Sequence, residues 1–302
     1  MAYLRRAQFA ATGYADMGEA EEWIQKGAEY SRKIHAADME VALVGSLGAF
    51  TTMWAAEVDE SARRAERHQQ FFRDRGQPQT VHNLLHLAWA PAMRGEFEEA
   101  RTQLELAAAI LSKEQAWYQD AWFHWGSGEI ERLRGDPAKA EELCRRSLDA
   151  DRQRGATEFD GFRPIWFLST LIDVAVQQNA CDRADAYLAE LEPIVRQVGG
   201  SPARAYLYRA KGQRAMASGK PSEAVRLLRE SADLWRGVGW KLELARTCVQ
   251  LSAAEVALGD PERGVSALNE AITLFRAVGA RLELQRALSL RTNPGSNTQP
   301  AP

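Results

Sequence analysis

RLRGDPAKA at 132–140 decides the fold. Gly135 closes one apolar helical pattern. Asp136 and Pro137, an N-cap residue followed by a residue suited to the first helical position, open another, and small Ala140 follows five positions after the glycine. The arrangement returns in AMRGEFEEA (92–100), MASGKPSEA (216–224) and VALGDPERG (256–264), with turn glycines at 95, 219 and 259. The spacings are 40, 84 and 40, and the 84 divides at Asn179, in QNACDRA, into 44 and 40. Glu57 and Gly18 extend the series backwards in steps of 38 and 39. Turns near 18, 57, 95, 135, 179, 219 and 259 thus recur with a period near 40 residues, the mark of stacked supersecondary units.

A second series runs in phase with the first. Gly155, Gly199, Gly239 and Gly279 each fall 20 residues after their turn, and Gly76 falls 19 after Glu57. Arginine precedes each of them, in RDRG, RQRG, RQVG, RGVG and RAVG, where it complements the negative end of a helix that glycine then terminates. Each unit therefore reads as helix A, tight turn, helix B, looser turn. Helix B of the third unit repeats small and apolar residues at Ala100, Leu104, Ala107 and Leu111; that of the sixth does so at Ala224, Leu227, Leu228, Ser231 and Leu234. No alternating β-branched run accompanies hairpin turns, so the expected class is all-α.

The turn glycines, the small residue five positions later, and Gly128 and Gly212 seven positions before their turns resemble the tetratricopeptide repeat superfamily, in its longer variant of about 40 residues. The texture is also similar to the repeat arrays of bacterial signal-transduction ATPases, nucleotidyl cyclases and helix-turn-helix activators. The resemblance implies a right-handed α-solenoid of about seven helix pairs over residues 1–291, with Ala280–Leu288 as a capping helix that parallels Trp240–Cys248. Residues 292–302, TNPGSNTQPAP, read as a disordered tail. Three departures stand out: Trp23 where other units carry alanine, Asn179 in place of a turn glycine, and Pro91 inside a helix A, where a kink is expected.

Composition removes several classes of function. With 38 Lys+Arg against 41 Asp+Glu, the net charge of −3 leaves no basic footprint for direct nucleic-acid binding or a membrane surface. No apolar run approaches the roughly 20 residues of a bilayer span. Cys144, Cys181 and Cys248 form neither CxxC nor a disulfide framework, which suits a reduced, cytoplasmic chain. Catalytic signatures are missing as well. GQRAMASGKP (212–221) has the wrong spacing for a phosphate loop and lacks Ser or Thr after Lys220, and no HExxH, GxSxG or EF-hand loop occurs. His82 and His86 stand four apart, a spacing that can place two imidazoles on one metal, but neither carboxylate nor cysteine joins them in that turn. No cofactor, metal centre or enzymatic activity is expected; Glu129 and Asp173 would be the acid/base pair if there were one.

The aromatic residues carry more information. With the turn glycine fixing the register, the concave stripe of each helix A holds His82, Leu85, Trp89 and Ala92 in the third unit and Trp122, Trp125, Glu129 and Arg132 in the fourth. The fifth has Trp166, Ser169, Asp173 and Val176, and the sixth Tyr206, Arg209, Gln213 and Met216. The stripes of the first unit (Arg5, Gln8, Thr12, Ala15) and the seventh (Arg246, Val249, Ala253, Val256) carry no aromatic. His82, Trp89, Trp122, Trp125, Glu129, Trp166, Asp173, Tyr206 and Arg209 are therefore the candidate groove for a peptide or protein partner, Glu129 and Asp173 facing a basic group and Arg209 a carboxylate or backbone carbonyl. A register shift of one residue would make the same side chains core. Phe159 and Phe162, in the lengthened loop ATEFDGFRP (156–164), either fold over the groove's edge or fill a gap. The leading expectation is a non-enzymatic interaction scaffold; the alternative is the ligand-sensing module of a bacterial signalling or transcription regulator. The first unit lacks a polar capping helix, so self-association or docking is expected there.

Overall fold

The computed structural model describes residues 2–8, 10, 17–48, 57–76, 80–114, 117–154 and 161–292; among them no residue lies in a strand. The helices are α1 Ala2–Gln8, α2 Met17–Lys33, α3 Ala37–Val41 (running on into a π-helical turn, Ala42–Leu47), α4 Val58–Arg73, α5 Val81–Arg94, α6 Phe97–Glu114, α7 Trp117–Arg134 and α8 Pro137–Arg154. They continue as α9 Arg163–Gln177, α10 Cys181–Val198, α11 Gly200–Ala217, α12 Pro221–Val238, α13 Lys241–Leu258, α14 Pro261–Val278 and α15 Arg281–Thr292. Consecutive helices pack in pairs, α5 on α6, α7 on α8, α9 on α10, α11 on α12 and α13 on α14, and each pair stacks on the next. The chain is an all-α solenoid. No helix among the described residues is long and apolar enough to cross a membrane.

Local chemistry sets the turns. Gly95, Gly135, Gly219 and Gly259 take φ of 89°, 95°, 70° and 93°, the left-handed region that a side chain disfavours. Asn179, at the turn without glycine, takes φ 55° and makes the same kind of turn, since asparagine tolerates that region better than most residues. Downstream, Asp136 accepts a hydrogen bond from the Lys139 amide (2.9 Å) and Asp260 from the Arg263 amide (3.1 Å), as N-caps do. Pro91 does not end α5: the helix runs on to Arg94, and the Pro91 carbonyl accepts from the Glu96 amide (2.9 Å).

Close approach within each pair depends on small residues. Ala100, Ala140, Ala184 and Ala224, five positions after their turns, are fully buried. A Cβ at Gly128 would lie 2.6 Å from Cys144 Sγ of α8, and one at Gly212 would lie 2.7 Å from Leu228 Cγ of α12. Gly126 does the same on another side of α7, where a Cβ would meet Leu85 of α5 at 2.9 Å. The Gly126-Ser127-Gly128 run thus lets α7 sit tightly against both neighbours. Cys144, pressed there, is fully buried, and all three cysteines are free thiols.

The A helices α5, α7, α9, α11 and α13 form the inner wall, and α15 brings that wall back to its start. Arg286 of α15 donates to the Leu133 carbonyl of α7 (2.5 Å), across 153 residues of chain. Leu282 packs beside Gly95 at the end of α5, and Gly279 approaches Val58 at the start of α4. The concave face of the solenoid is consequently an interior.

Gly128→Ala is expected to lower stability by about 1–3 kcal/mol, because the new methyl must displace Cys144 or part α7 from α8. Urea unfolding followed by circular dichroism measures it, and adding Cys144→Ala should restore part of the loss; an unchanged midpoint for Gly128→Ala would show that the two helices are not in close contact.

Candidate functional site

The inner stripe of α5, α7, α9 and α11 converges on one aromatic cluster. Trp125 of α7 lies 5.1 Å from Trp89 of α5 and 5.3 Å from Trp122, and it stacks on Trp166 of α9 at 5.8 Å. Phe162, at the start of α9, is fully buried and joins Trp166 (5.1 Å) to Tyr206 of α11 (6.1 Å). Of the two expectations for Phe162 it therefore fills a gap; Phe159 lies outside the described residues. Tyr206 continues the chain edge-on to Trp235 (4.9 Å), which stacks on Trp240 (5.2 Å). Such ring pairs add about 0.5–1.5 kcal/mol each beyond their burial.

His82 and His86 close the cluster on the α5 side, their Nε2 atoms 3.2 Å apart and His82 edge-on to Trp122. The cavity between these histidines and Trp89, Trp122 and Trp125 measures about 10 Å³, room for one water. Burial, with His68 beside it, lowers His82 to about 4; burial, with His82 and His68 nearby, holds His86 well below the ordinary imidazole range, and burial brings His68 itself to about 4. The imidazoles are neutral in the folded chain at pH 7. No group of three ligating side chains suited to a metal occurs among the described residues.

Deeper in the wall the aromatics give way to charge. Glu129 of α7 takes a two-pronged bond from Arg132 (2.9 and 3.1 Å) and a hydrogen bond from Thr170 of α9 (2.7 Å), whose hydroxyl in turn accepts from Trp125 Nε1 (3.3 Å). Arg246 of α13 approaches Glu129 from across the interior at 3.9 Å, pairs with Glu243 on its own helix (2.9 Å), and holds Glu283 of α15 at 2.8 Å. Glu243 also pairs with Arg209 of α11. Burial pushes the Glu129 carboxyl up, but Arg132 and Arg246 outweigh it and hold it at about 2. The same balance raises Arg209 and Arg246 above the ordinary guanidinium range: burial works against their charge, and the facing carboxylates prevail.

Asp173 of α9 faces this network, with Arg209 and Arg132 acting on it, but is joined to it by no ion pair. No Lys or Arg nitrogen among the described residues lies within 4.0 Å of it, and burial raises its carboxyl despite Arg209 and Arg132 nearby. Ser169 Oγ and Tyr206 OH, both buried, have no hydrogen-bond partner and line the same small cavity as Asp173. That cavity, between Trp125, Trp166 and the ion network, also measures about 10 Å³.

All nine candidate groove residues thus lie on this inner wall. Trp89, Trp125, Glu129, Trp166, Tyr206 and Arg209 are buried, and His82, Trp122 and Asp173 are partly so. Glu129 and Arg209, expected to meet a ligand's charges, are met by Arg132, Arg246 and Glu243 of the same chain. The stripe of the first unit (Arg5, Gln8, Thr12, Ala15) falls on side chains outside the description. Sequence reasoning placed Arg246 on the stripe without giving it a role, and it missed Glu243, Thr170 and Glu283. A signal was present: KLELAR (241–246) recurs forty residues later as RLELQR (281–286), setting Glu243 and Arg246 over Glu283 and Arg286 one turn earlier on the stripe.

Two acid-sensitive steps follow from the shifts. A histidine whose pKa falls on folding, from 6.5 to about 4 for His68 and His82, binds fewer protons folded than unfolded. Stability is therefore expected to fall as pH drops through that window. Glu129, lowered from 4.5 to about 2, adds a second loss below it. Urea midpoints at pH 7, 5.5 and 4 check the first step, which His82→Gln should reduce; midpoints that do not move between pH 7 and 5 would contradict it. Separately, Glu243→Gln should cost about 3–5 kcal/mol in the same assay, since it leaves Arg209 and Arg246 buried without their shared carboxylate.

No family model and no curated protein matches the chain. Solved structures do. A Rap protein complexed with competence and sporulation factor matches over 95% of this chain and 78% of its own, with 14% identity and a TM-score of 0.67. The apo form of the quorum sensor NprR from B. thuringiensis matches over 97% and 81%, with 10% identity and a TM-score of 0.52. A signal transduction ATPase with numerous domains from Pyrococcus horikoshii, bearing a tetratricopeptide repeat sensor, matches over 92% of this chain and 44% of its own, with 12% identity and a TM-score of 0.53. At such identities the likeness is one of fold, and it agrees with the turns, the small residues and the stacked pairs described above: the chain has the fold of the tetratricopeptide-repeat-like superfamily.

Proposed function

We propose that the chain is a non-enzymatic interaction module that binds a peptide or protein segment on the inner wall of its solenoid. The observation that carries this reading is the cavity beside Asp173, where a carboxylate without an ion pair and two orphaned hydroxyls, Ser169 Oγ and Tyr206 OH, share one small space walled by Trp125 and Trp166. Buried polar atoms are nearly always hydrogen-bonded, and unmet ones on a concave wall suit a ligand that completes them. A space of about 10 Å³ admits no more than a group the size of one water, so only the tip of a side chain of the bound segment would enter it, the rest of the segment lying outside.

A second reading, a ligand-sensing module of a bacterial cytoplasmic regulator, is favoured by the closure of the wall. The ion network ties α7, α11, α13 and α15 together, so a ligand that enters must redistribute contacts between repeats far apart in the chain. The neighbours in fold fit both readings: the Rap protein is complexed with competence and sporulation factor, and NprR is a quorum sensor. Self-association through the first repeat belongs to the same proposal, with Tyr30 of α2 and Ile34 in the turn that follows it about half exposed.

Selection of extended heptapeptides from a displayed library against the intact chain tests the reading. Selected peptides are expected to bind saturably, one per chain, to alter tryptophan fluorescence, and to lose roughly tenfold or more in affinity to Gln213→Lys, which places a cation beside Asp173. Peptides that bind Gln213→Lys as tightly as the native chain would move the site off the inner wall.

A further inference from the structure

We infer that α15 is a releasable latch: seated, it holds the inner wall shut, and a peptide segment binds after it lifts. This deepens the binding reading above and rests on it. Room sets the need for such a step. The cavities beside His82 and beside Asp173 measure about 10 Å³ each, space for one water. The wall as it stands therefore takes the tip of one side chain and no backbone behind it. A segment lying along the wall needs α5 and α7 to stand farther from α13 and α15.

Of the helices that close the wall, α15 leaves at lower cost than α13. It buries Glu283 and Ala287 among its 12 residues, where the matching stretch of α13, 241–252, buries eight. Less apolar area therefore opposes its departure. Its polar contacts across the wall also part without stranding a charge. Arg246, on losing Glu283 at 2.8 Å, keeps Glu243 at 2.9 Å on its own helix and Glu129 at 3.9 Å, while Glu283 returns to water. Glu243 of α13, by contrast, is buried between Arg209 and Arg246 and cannot leave without stranding both. Arg286 donates to the Leu133 carbonyl, which α7 itself leaves unserved because the residue four positions on is Pro137. Burial lowers the pKa of that guanidinium, Glu283 offsets part of the loss, and Arg132 lowers it further, so the seated position disfavours its charge. Leu282 rests beside Gly95, where α5 ends, and the joint to α14 is Gly279 and Ala280, with Gly279 at φ 78°.

With the lifted form a minor population, the apparent Kd of a wall-binding peptide is its intrinsic Kd divided by the lifted fraction. Loosening the latch then tightens binding, and fixing it weakens binding; a helix with a merely structural role gives no such gain. The test uses the intact chain with Glu96→Cys and Gln285→Cys at two exposed positions and Cys181→Ser, Cys144 and Cys248 being buried. A short bismaleimide joins the pair, and two probes are read with and without it: acrylamide quenching of tryptophan fluorescence, and calorimetric titration with the heptapeptides selected above. The cross-link is expected to lower quenching and to raise the peptide Kd about tenfold or more. The double variant Leu282→Ala/Arg286→Ala, without cross-link, is expected to raise quenching and lower Kd several-fold even as its urea midpoint falls. Quenching and Kd that ignore the cross-link, or a Kd that is unchanged or raised in the loosened variant, overturn the latch. Should the loosened variant fail to melt cooperatively, the cross-linked chain decides. Peptides that bind the cross-linked chain as tightly as the free one, yet lose affinity to Gln213→Lys, sink the latch alone and leave the binding reading standing. Heptapeptides that bind neither the native nor the loosened chain overturn that reading and the latch with it.

Discussion

Arg246 sits at the meeting point of the closed wall. Its guanidinium reaches Glu243 on its own helix, Glu283 on the capping helix, and Glu129 on a helix three repeats upstream. Buried charges like these are costly to desolvate, and removing one partner of such a pair typically costs about 3–5 kcal/mol because the other is stranded. The network is therefore better understood as a constraint on geometry than as a source of net stability. It is satisfied only when α7, α11, α13 and α15 stand at the right distances around a common interior, and each repeat's tilt against the next must add up to that arrangement.

The aromatic cluster and the glycines answer to the same constraint. Four tryptophans meet between α5, α7 and α9 because Gly126 lets α7 approach Leu85 of α5, and Gly128 lets its other side approach Cys144 of α8. With the wall drawn in this tightly, what remains open near the middle is a space of one water beside Asp173. On the proposed reading, a ligand there would be recognised by a few atoms in fixed positions, with little ordering of the chain's own side chains to oppose binding.

Much of this was legible in the sequence, for reasons that differ by feature. A left-handed turn needs glycine or asparagine locally, so Gly95, Gly135, Asn179, Gly219 and Gly259 announced the helix pairs without reference to the rest of the chain. Helical periodicity then set which face of each helix A turns inward, but Trp125, Trp166 and Tyr206, which that register put on a groove, are buried in the core, the other outcome the sequence left open. Curvature was not legible. Whether an inner stripe faces open solvent or its own opposite wall depends on small rotations summed over several repeats, and the approach of Arg246 to Glu129 spans 117 positions with no local pattern to mark it. For that reason Glu129 and Arg209 read as ligand contacts in the sequence, although each has a partner within the chain.

The claim on which the rest depends is that the inner wall closes through α15. The direct measurement is the distance between spin labels at Glu96→Cys and Gln285→Cys, both exposed positions beside the contact of Gly95 with Leu282, in a chain where Cys181 is replaced by serine. Closure predicts a single narrow distribution at a short distance, roughly 20 Å or less, about two helix diameters. A broad distribution centred well beyond that would mean that the solenoid is open, its concave face a solvent groove and the Arg246–Glu129 approach absent.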